Sequence, residues 1–154
     1  MLKNLDPILS AELLYVLRSM GHGDELALVD CNFPCSSVAA DTVHGDPIIL
    51  AGVDIPGAAR AILSVFPLDS FVEEPVLRME VVGAPDEIVG CHEDMRKAMD
   101  ETCDREWKMG HIERFAFYER ARTCHAVVCA AGERRGYGCF ILSKGVIGPD
   151  NKVV

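Results

Sequence analysis

The chain has 154 residues, of which 49% are hydrophobic and 25% charged, so it is globular rather than disordered and sized for one domain with a real core. Its 15 basic and 24 acidic residues leave a net charge of −9, which repels nucleic-acid phosphates and anionic lipid but admits a neutral ligand such as a sugar. The N-terminus, interrupted by Asp6, Glu12 and Arg18, does not read as a signal peptide, and "IILAGVDIPGAARAILSVFPL", broken by Asp54, Pro56 and Arg60, does not read as a membrane span.

Along the chain, Ser10 has the chemistry of an N-cap, Leu13, Val16, Leu17 and Met20 recur at helical spacing, and Gly21 supplies a stop. Leu26 to Asp30 is a continuous apolar run closed by a carboxylate, which predicts a strand buried on both faces. "CNFPCSS" reads as a loop. Asp54 caps a second helix with Pro56 in its first turn and Ala59, Ile62, Leu63 and Phe66 as its apolar stripe, ended by Pro67 and Asp69. In "VLRMEVV" after Pro75, Leu77, Met79 and Val81 alternate with Arg78 and Glu80, which predicts a strand with one less buried face.

Asp86 to about Cys103 reads as a helix and "MGHIER" as a short strand. "FAFYERARTC" reads as a helix with Phe117 and Ala121 inward and Glu119, Arg120 and Arg122 outward. "HAVVCAAG" predicts a strand, "GERRGYG" a turn and "CFILSKGVIG" a last strand. Helices alternate with apolar strands without repeats or linkers, so the chain is one α/β domain with helices covering a sheet.

Seven cysteines, an odd number with no CxxC pair and several inside apolar runs, predict free, mostly buried thiols in a reducing compartment, by default the cytoplasm. Cys31, Cys35 and the Cys91-His92 pair match no standard zinc spacing, so no metal is expected. "GHGDEL" and "GYGCFI" begin like dinucleotide fingerprints but carry Leu26 and Ile141 where the third glycine belongs, and strands follow them where a helix should. No P-loop, HExxH or G-x-S-x-G occurs.

Four elements remain, each with two readings. His22 between Gly21 and Gly23 is a surface residue on a helix-ending turn, or an acid–base group that a ligand can approach closely. Asp30 at a strand end caps the next loop or grips a ligand, since ligands of α/β sheets gather at the carboxyl ends of strands. Tyr118 is core or catalytic, and Tyr137-Gly138 is turn chemistry or a contact.

Taken together, "LLYVLRSMGHGDELALVDCNFP", "LDSF", "RFAFYERA" and "GYG…ILSKGV", in this order and spacing, resemble the L-fucose mutarotase branch of the family that also contains D-ribose pyranase. The likeness covers nearly the whole chain and is weakest between about Gly83 and His111 and after Val146. It implies a single three-layer α/β/α domain and interconversion of sugar anomers, or of pyranose and furanose rings, without a cofactor. It also implies closed homo-oligomers (ring-like decamers in bacterial examples, smaller assemblies in others) with sites near subunit contacts. By the resemblance, His22 and Tyr118 are catalytic, while Asp30, Asp69, Arg114 and the Tyr137-Gly138-Cys139 run contact the monosaccharide, L-fucose.

Two departures stand out: Cys139 replaces the family's Asn, and Val43-His44-Gly45-Asp46-Pro47 replaces a usual Ile-Arg-Ala-Asp-Gly. The first leaves a weak donor and acceptor at a polar sugar contact. It keeps open a ribose or other sugar as substrate, and a non-catalytic sugar-binding oligomer as the remaining alternative.

Overall fold

The computed structural model of the protein describes residues 2–154. In chain order the elements are α1 (Ala11–Ser19), β1 (Glu25–Asp30), α2 (Cys35–Ala39), β2 (Ile48–Leu50), α3 (Ile55–Leu63), β3 (Val76–Met79), α4 (Gly90–Thr102), β4 (Met109–Ile112), α5 (Arg114–Arg122), β5 (Ala126–Ala130) and β6 (Phe140–Ser143). The six strands form one sheet in the order β2-β5-β1-β6-β3-β4. β5 runs parallel to β1 and β2, and β3 parallel to β4, while β6 is antiparallel to both its neighbours, β1 and β3. Every strand except β6 therefore points its carboxyl end to the same edge of the domain.

β1 alternates between two cores. Leu26 and Leu28 face the apolar stripes of α1, α3 and α4, and Ala27 and Val29 face α2 and α5. The result is the expected three-layer α/β/α domain, with β1 buried on both sides. The predicted caps form: Leu13 N–H donates to Ser10 Oγ at 3.1 Å, and Gly57 N–H donates to Asp54 Oδ1 at 3.0 Å.

Several expectations are corrected. Within and beyond "CNFPCSS" the chain forms the five-residue α2, whose N-cap is Pro34 and receives no side-chain hydrogen bond. β2 is a three-residue edge strand with Ile49 exposed, held by its ladder to β5. α3 ends at Leu63, before Phe66, although Phe66 is still buried. α4 starts at Gly90 rather than Asp86, because turns around Gly83 (φ +79°) and Ala84 occupy the preceding residues.

β3 stops at Met79, and its burial departs from the expected alternation: Met79 is buried as expected, but Leu77 is half-buried and Arg78 is buried, donating to the Pro85 carbonyl at 2.8 Å. One guanidinium nitrogen finds that carbonyl, while Nη1 is buried without a partner. β6 ends at Ser143, where Lys144 turns away and donates to the Leu17 and Met20 carbonyls at the end of α1, at 2.6 and 2.7 Å. That cap, rather than Gly21, satisfies the helix end: Met20 is extended, and the left-handed residue of the corner is Gly23, at φ +82°.

Candidate active site

The corner between α1 and β1 presents His22. Its conformation is set by Gly21 N–H donating to Asp24 Oδ2 at 2.7 Å and by Gly23 N–H donating to the Lys144 carbonyl at 2.8 Å. His22 Nε2 lies 3.2 Å from Asp69 Oδ1, and its ring centre is 5.2 Å from that of Phe71. Asp69 is buried, with Oδ1 also accepting from Phe71 N–H at 3.0 Å and its own N–H bonded to the Ser143 carbonyl. The imidazole is about half exposed (48%), on the rim of a cavity of about 440 Å³. A carboxylate fixed by two backbone contacts thus orients an open imidazole, an arrangement suited to moving a proton.

The second group sits at the carboxyl ends of the strands. Asp30 closes β1 and is buried. Its Oδ1 accepts from Asn32 N–H at 2.9 Å, and its Oδ2 accepts from Gly138 N–H at 3.1 Å and from the Cys139 thiol at 3.4 Å. Three donors leave about one of the roughly four lone-pair sites of the carboxylate for a ligand. Burial and the neighbouring Asp30 charge push the Cys139 thiol well up, so it stays protonated and donates. Gly138 has no room for a side chain, since an added Cβ would stand 3.1 Å from Glu133 and 3.3 Å from Asp30.

Tyr137 adopts φ +64°, with its hydroxyl accepting from Val82 N–H at 3.4 Å. Arg114 opens α5 with its guanidinium 4.6 Å over the Phe115 ring, and its Nε is buried without a partner, a donor in need of an acceptor. One turn on, Tyr118 is half-buried against Phe33, 5.4 Å between ring centres, and Phe33, three residues after Asp30, donates its N–H to the Asp30 carbonyl at 3.3 Å.

The structure therefore brings Asp30, Tyr137, Gly138 and Cys139 into direct contact, with Arg114 and Tyr118 at the same end and on the α2/α5 face. It sets His22 and Asp69 at the other end. The five steps of β1 between Glu25 and Asp30 set the two ends of that strand about 17 Å apart.

Three residues of the second group carry no local signal in the sequence. Glu133 is buried in the turn before β6, accepting from Arg135 side-chain and backbone N–H groups and, at 3.4 Å, from Ile55 N–H. Arg135 also reaches Asp94 on α4 at 2.7 Å. His92 is completely buried and contacts the Tyr137 carbonyl at 3.1 Å. Only a long-range pairing reveals such residues, although two arginines beside a glutamate in a glycine-rich turn hint at a folded clasp. All seven cysteines are free, and among the described residues no group of three or more His, Cys, Asp or Glu, the Cys91-His92 pair included, is placed to hold an ion.

Comparison with known proteins decides the family. Residues 3–147 match the model of the RbsD / FucU transport protein family. The chain belongs to this family. A fucose mutarotase of Danio rerio is 44% identical, the alignment covering 98% of this chain and 97% of the relative. An L-fucose mutarotase of Actinobacillus pleuropneumoniae is 38% identical, with 95% and 97% covered. Among solved structures, the fucose mutarotase of Streptococcus pneumoniae in complex with L-fucose superposes with a TM-score of 0.83 at 35% identity, covering 96% of this chain and all of the other. Despite the word transport in the family's description, no helix among the described residues is long and apolar enough to cross a membrane.

Proposed function

We propose that this member of the RbsD / FucU family is a cofactor-independent isomerase that interconverts the α and β anomers of L-fucose. Exchange requires only proton movement. The anomeric hydroxyl loses a proton as the ring oxygen gains one, the C1–O5 bond opens, the aldehyde rotates and the steps reverse. An acid and a base within hydrogen-bond reach of one sugar suffice. His22 supplies one and Tyr118 the other. Asp69 orients His22, and Arg114 turns its unpartnered Nε to a sugar oxygen. Asp30, Tyr137, Gly138 and Cys139 form the wall on which the sugar rests.

The observation that carries the mechanism is that His22 precedes β1 at its amino end, while Asp30 and its wall, with Tyr118 packed on nearby Phe33, stand towards the carboxyl end. A monosaccharide cannot bridge about 17 Å. Each end also displays an exposed aromatic, Phe71 (66%) beside His22 and Phe115 (63%) beside Arg114. Exposed aromatics next to incomplete sites mark surfaces that another copy covers. The working site is thus composite, with His22 of one copy facing Tyr118 of the next in a closed homo-oligomer; a ring-like decamer is one such assembly. The free state of all seven thiols supports a reducing compartment such as the cytoplasm.

Mixed oligomers test this reading. His22→Gln and Tyr118→Phe chains, each inactive alone, regain about a quarter of the activity when co-assembled in equal amounts, because each site draws its residues from two copies. Inactive mixtures would place both residues in one chain's site. Light scattering gives a mass several times 16.8 kDa, whereas an active monomer rules the composite site out. Anomeric exchange measured by NMR across L-fucose, D-ribose, D-galactose and D-glucose fixes the sugar. The second reading, a mutarotase or pyranase for ribose or another sugar, draws on Cys139, whose thiol is already engaged by Asp30. Binding without exchange would instead make the protein a sugar-binding oligomer.

A further inference from the structure

We propose that His92 is a positioning residue for the sugar site: through Nε2 it holds the Tyr137 carbonyl, and with it the backbone turn that aims Tyr137 and Gly138. The proposal rests on the reading of Tyr137 as a sugar contact. A non-glycine residue at φ +64° is held there by its surroundings or not at all. Around Tyr137 those surroundings are specific. The next peptide N–H, of Gly138, is bound to Asp30, and the preceding carbonyl, of Gly136, accepts from the Cys91 thiol at 3.3 Å. The Tyr137 carbonyl itself has His92 Nε2 at 3.1 Å.

The histidine's other nitrogen decides its role. Val89 N–H, at the start of α4, donates to His92 Nδ1 at 3.3 Å. Nδ1 is therefore the acceptor, the ring proton sits on Nε2, and that proton points at the Tyr137 carbonyl. Burial, and then the Arg78 charge, lower the His92 pKa to about 4, so the ring keeps this neutral tautomer. The ring also packs edge-on against Phe140, at 5.9 Å between centres, in the strand that begins just after Cys139. One side chain thus couples the N-terminus of α4 to the turn that carries the sugar wall.

Two amide substitutions separate the two bonds. The oxygen of His92→Asn can take the place of Nδ1 under Val89 N–H but leaves nothing to reach Tyr137. The longer His92→Gln returns an N–H donor near the Nε2 position. The expected result is that both variants keep the wild-type fold and assembly mass. The Asn variant raises Kd and KM for L-fucose about two- to tenfold, the worth of one hydrogen bond, with kcat at saturating sugar little changed. The Gln variant recovers most of the loss. Crystal structures of the sugar-free variants show Tyr137 leaving the left-handed region in the first and keeping it in the second.

A folded Asn variant with wild-type Kd and an unmoved Tyr137 overturns the proposal, as does a Gln variant no better than Asn. If neither variant folds, 15N NMR of the histidines in the unaltered protein decides: a proton on Nδ1 of His92 overturns the proposal, and one on Nε2 supports it. If Tyr137 moves in the Asn variant while the wild-type protein does not bind L-fucose, the tether stands and the sugar assignment fails.

Discussion

The two ends of the sheet are built on opposite plans. At the carboxyl end the groups of the Asp30 wall are tied down several times over: Asp30 by three donors, Glu133 by Arg135 and Ile55, and Tyr137 by Val82 N–H and by His92 on α4. At the amino end a half-exposed His22 ring has a single polar contact, to Asp69, and one aromatic neighbour. One end is a preformed wall, costly to disturb. The other holds the proposed acid–base group, open to solvent on one side. Substitutions in the Asp30 wall should therefore damage stability as well as binding, and those around His22 should damage mainly rate.

The sharpest test of that contrast is kinetic. His22→Gln and Tyr118→Phe each lower the exchange rate by about 10²–10⁴-fold, the usual worth of a positioned acid or base, while sugar binding is partly kept. His22→Gln should leave the melting temperature unchanged, since it removes one partly exposed contact. Wild-type exchange in both variants would remove these residues from the mechanism.

The next effect is on stability. Asp30→Ala strands the Gly138 and Asn32 N–H groups, each costing about 1–3 kcal/mol if buried and unpaired. For a chain of this size the melting temperature should then fall by roughly 10 °C. Asp69→Ala strands the Phe71 N–H and frees His22, and Phe71 itself is exposed, so water replaces the lost partner and the melting temperature falls less. Equal losses at the two ends would erase the distinction drawn between them.

Acid separates the ends as well. His92 is buried neutral with its pKa lowered to about 4, against about 6.5 in the unfolded chain. Between these values the unfolded chain binds the extra proton, so stability rises with pH. The His92 contribution is fully present above about pH 6.5, is lost as pH falls towards 4, and amounts to about 2–3 kcal/mol at the low end. Urea unfolding at pH 7 and pH 4.5 reads it out. His92→Gln should flatten that part of the pH dependence, and an unchanged profile would show that another group controls it.

Much of this architecture was legible in advance because its signals are local. Ser10, Asp54 and Pro56 mark helix starts through side chains that act within one turn, and the unbroken run of Leu26–Val29 can only be a strand covered on both sides. α2 and β2 escaped because five and three residues are too few to show a period, and β2 exists only through its pairing with β5. The buried Arg78 defeated a simple alternation because its partner, the Pro85 carbonyl, lies in a loop that no pattern announces. The site divides the same way. His22, Asp30 and Tyr118 stand out by motif and resemblance, whereas the meeting of Gly138 and Cys139 with Asp30 follows from β6 running antiparallel to β1, which local sequence does not encode. His92 was visible only as half of a Cys-His pair that suggested metal, while both its nitrogens are spent on backbone groups.

The smallest expected effect concerns the residue where the sugar wall departs from its relatives. Cys139 is buried, and its thiol donates to Asp30 Oδ2 at 3.4 Å, beside the Gly138 N–H. A thiol is a weak donor and a weak acceptor, so it steadies Asp30 without offering the sugar much in return. An Asn at this place has two N–H donors and a carbonyl: one N–H can keep the bond to Asp30 while the remaining groups turn to a sugar hydroxyl. A neutral hydrogen bond contributes about 0.5–1.5 kcal/mol net, so Cys139→Asn should improve turnover of L-fucose at low sugar concentration by about two- to tenfold, leaving the rate at saturation nearly unchanged. On the proposed mechanism the Asp30 wall positions the sugar while His22 and Tyr118 move its protons, so the improvement belongs to binding. A gain for D-ribose or D-galactose with none for L-fucose would transfer the substrate assignment to that sugar. Loss of exchange in a folded Cys139→Asn protein would show that the Asp30 wall takes part in the chemistry, and the division of labour between that wall and the His22–Tyr118 pair would no longer hold.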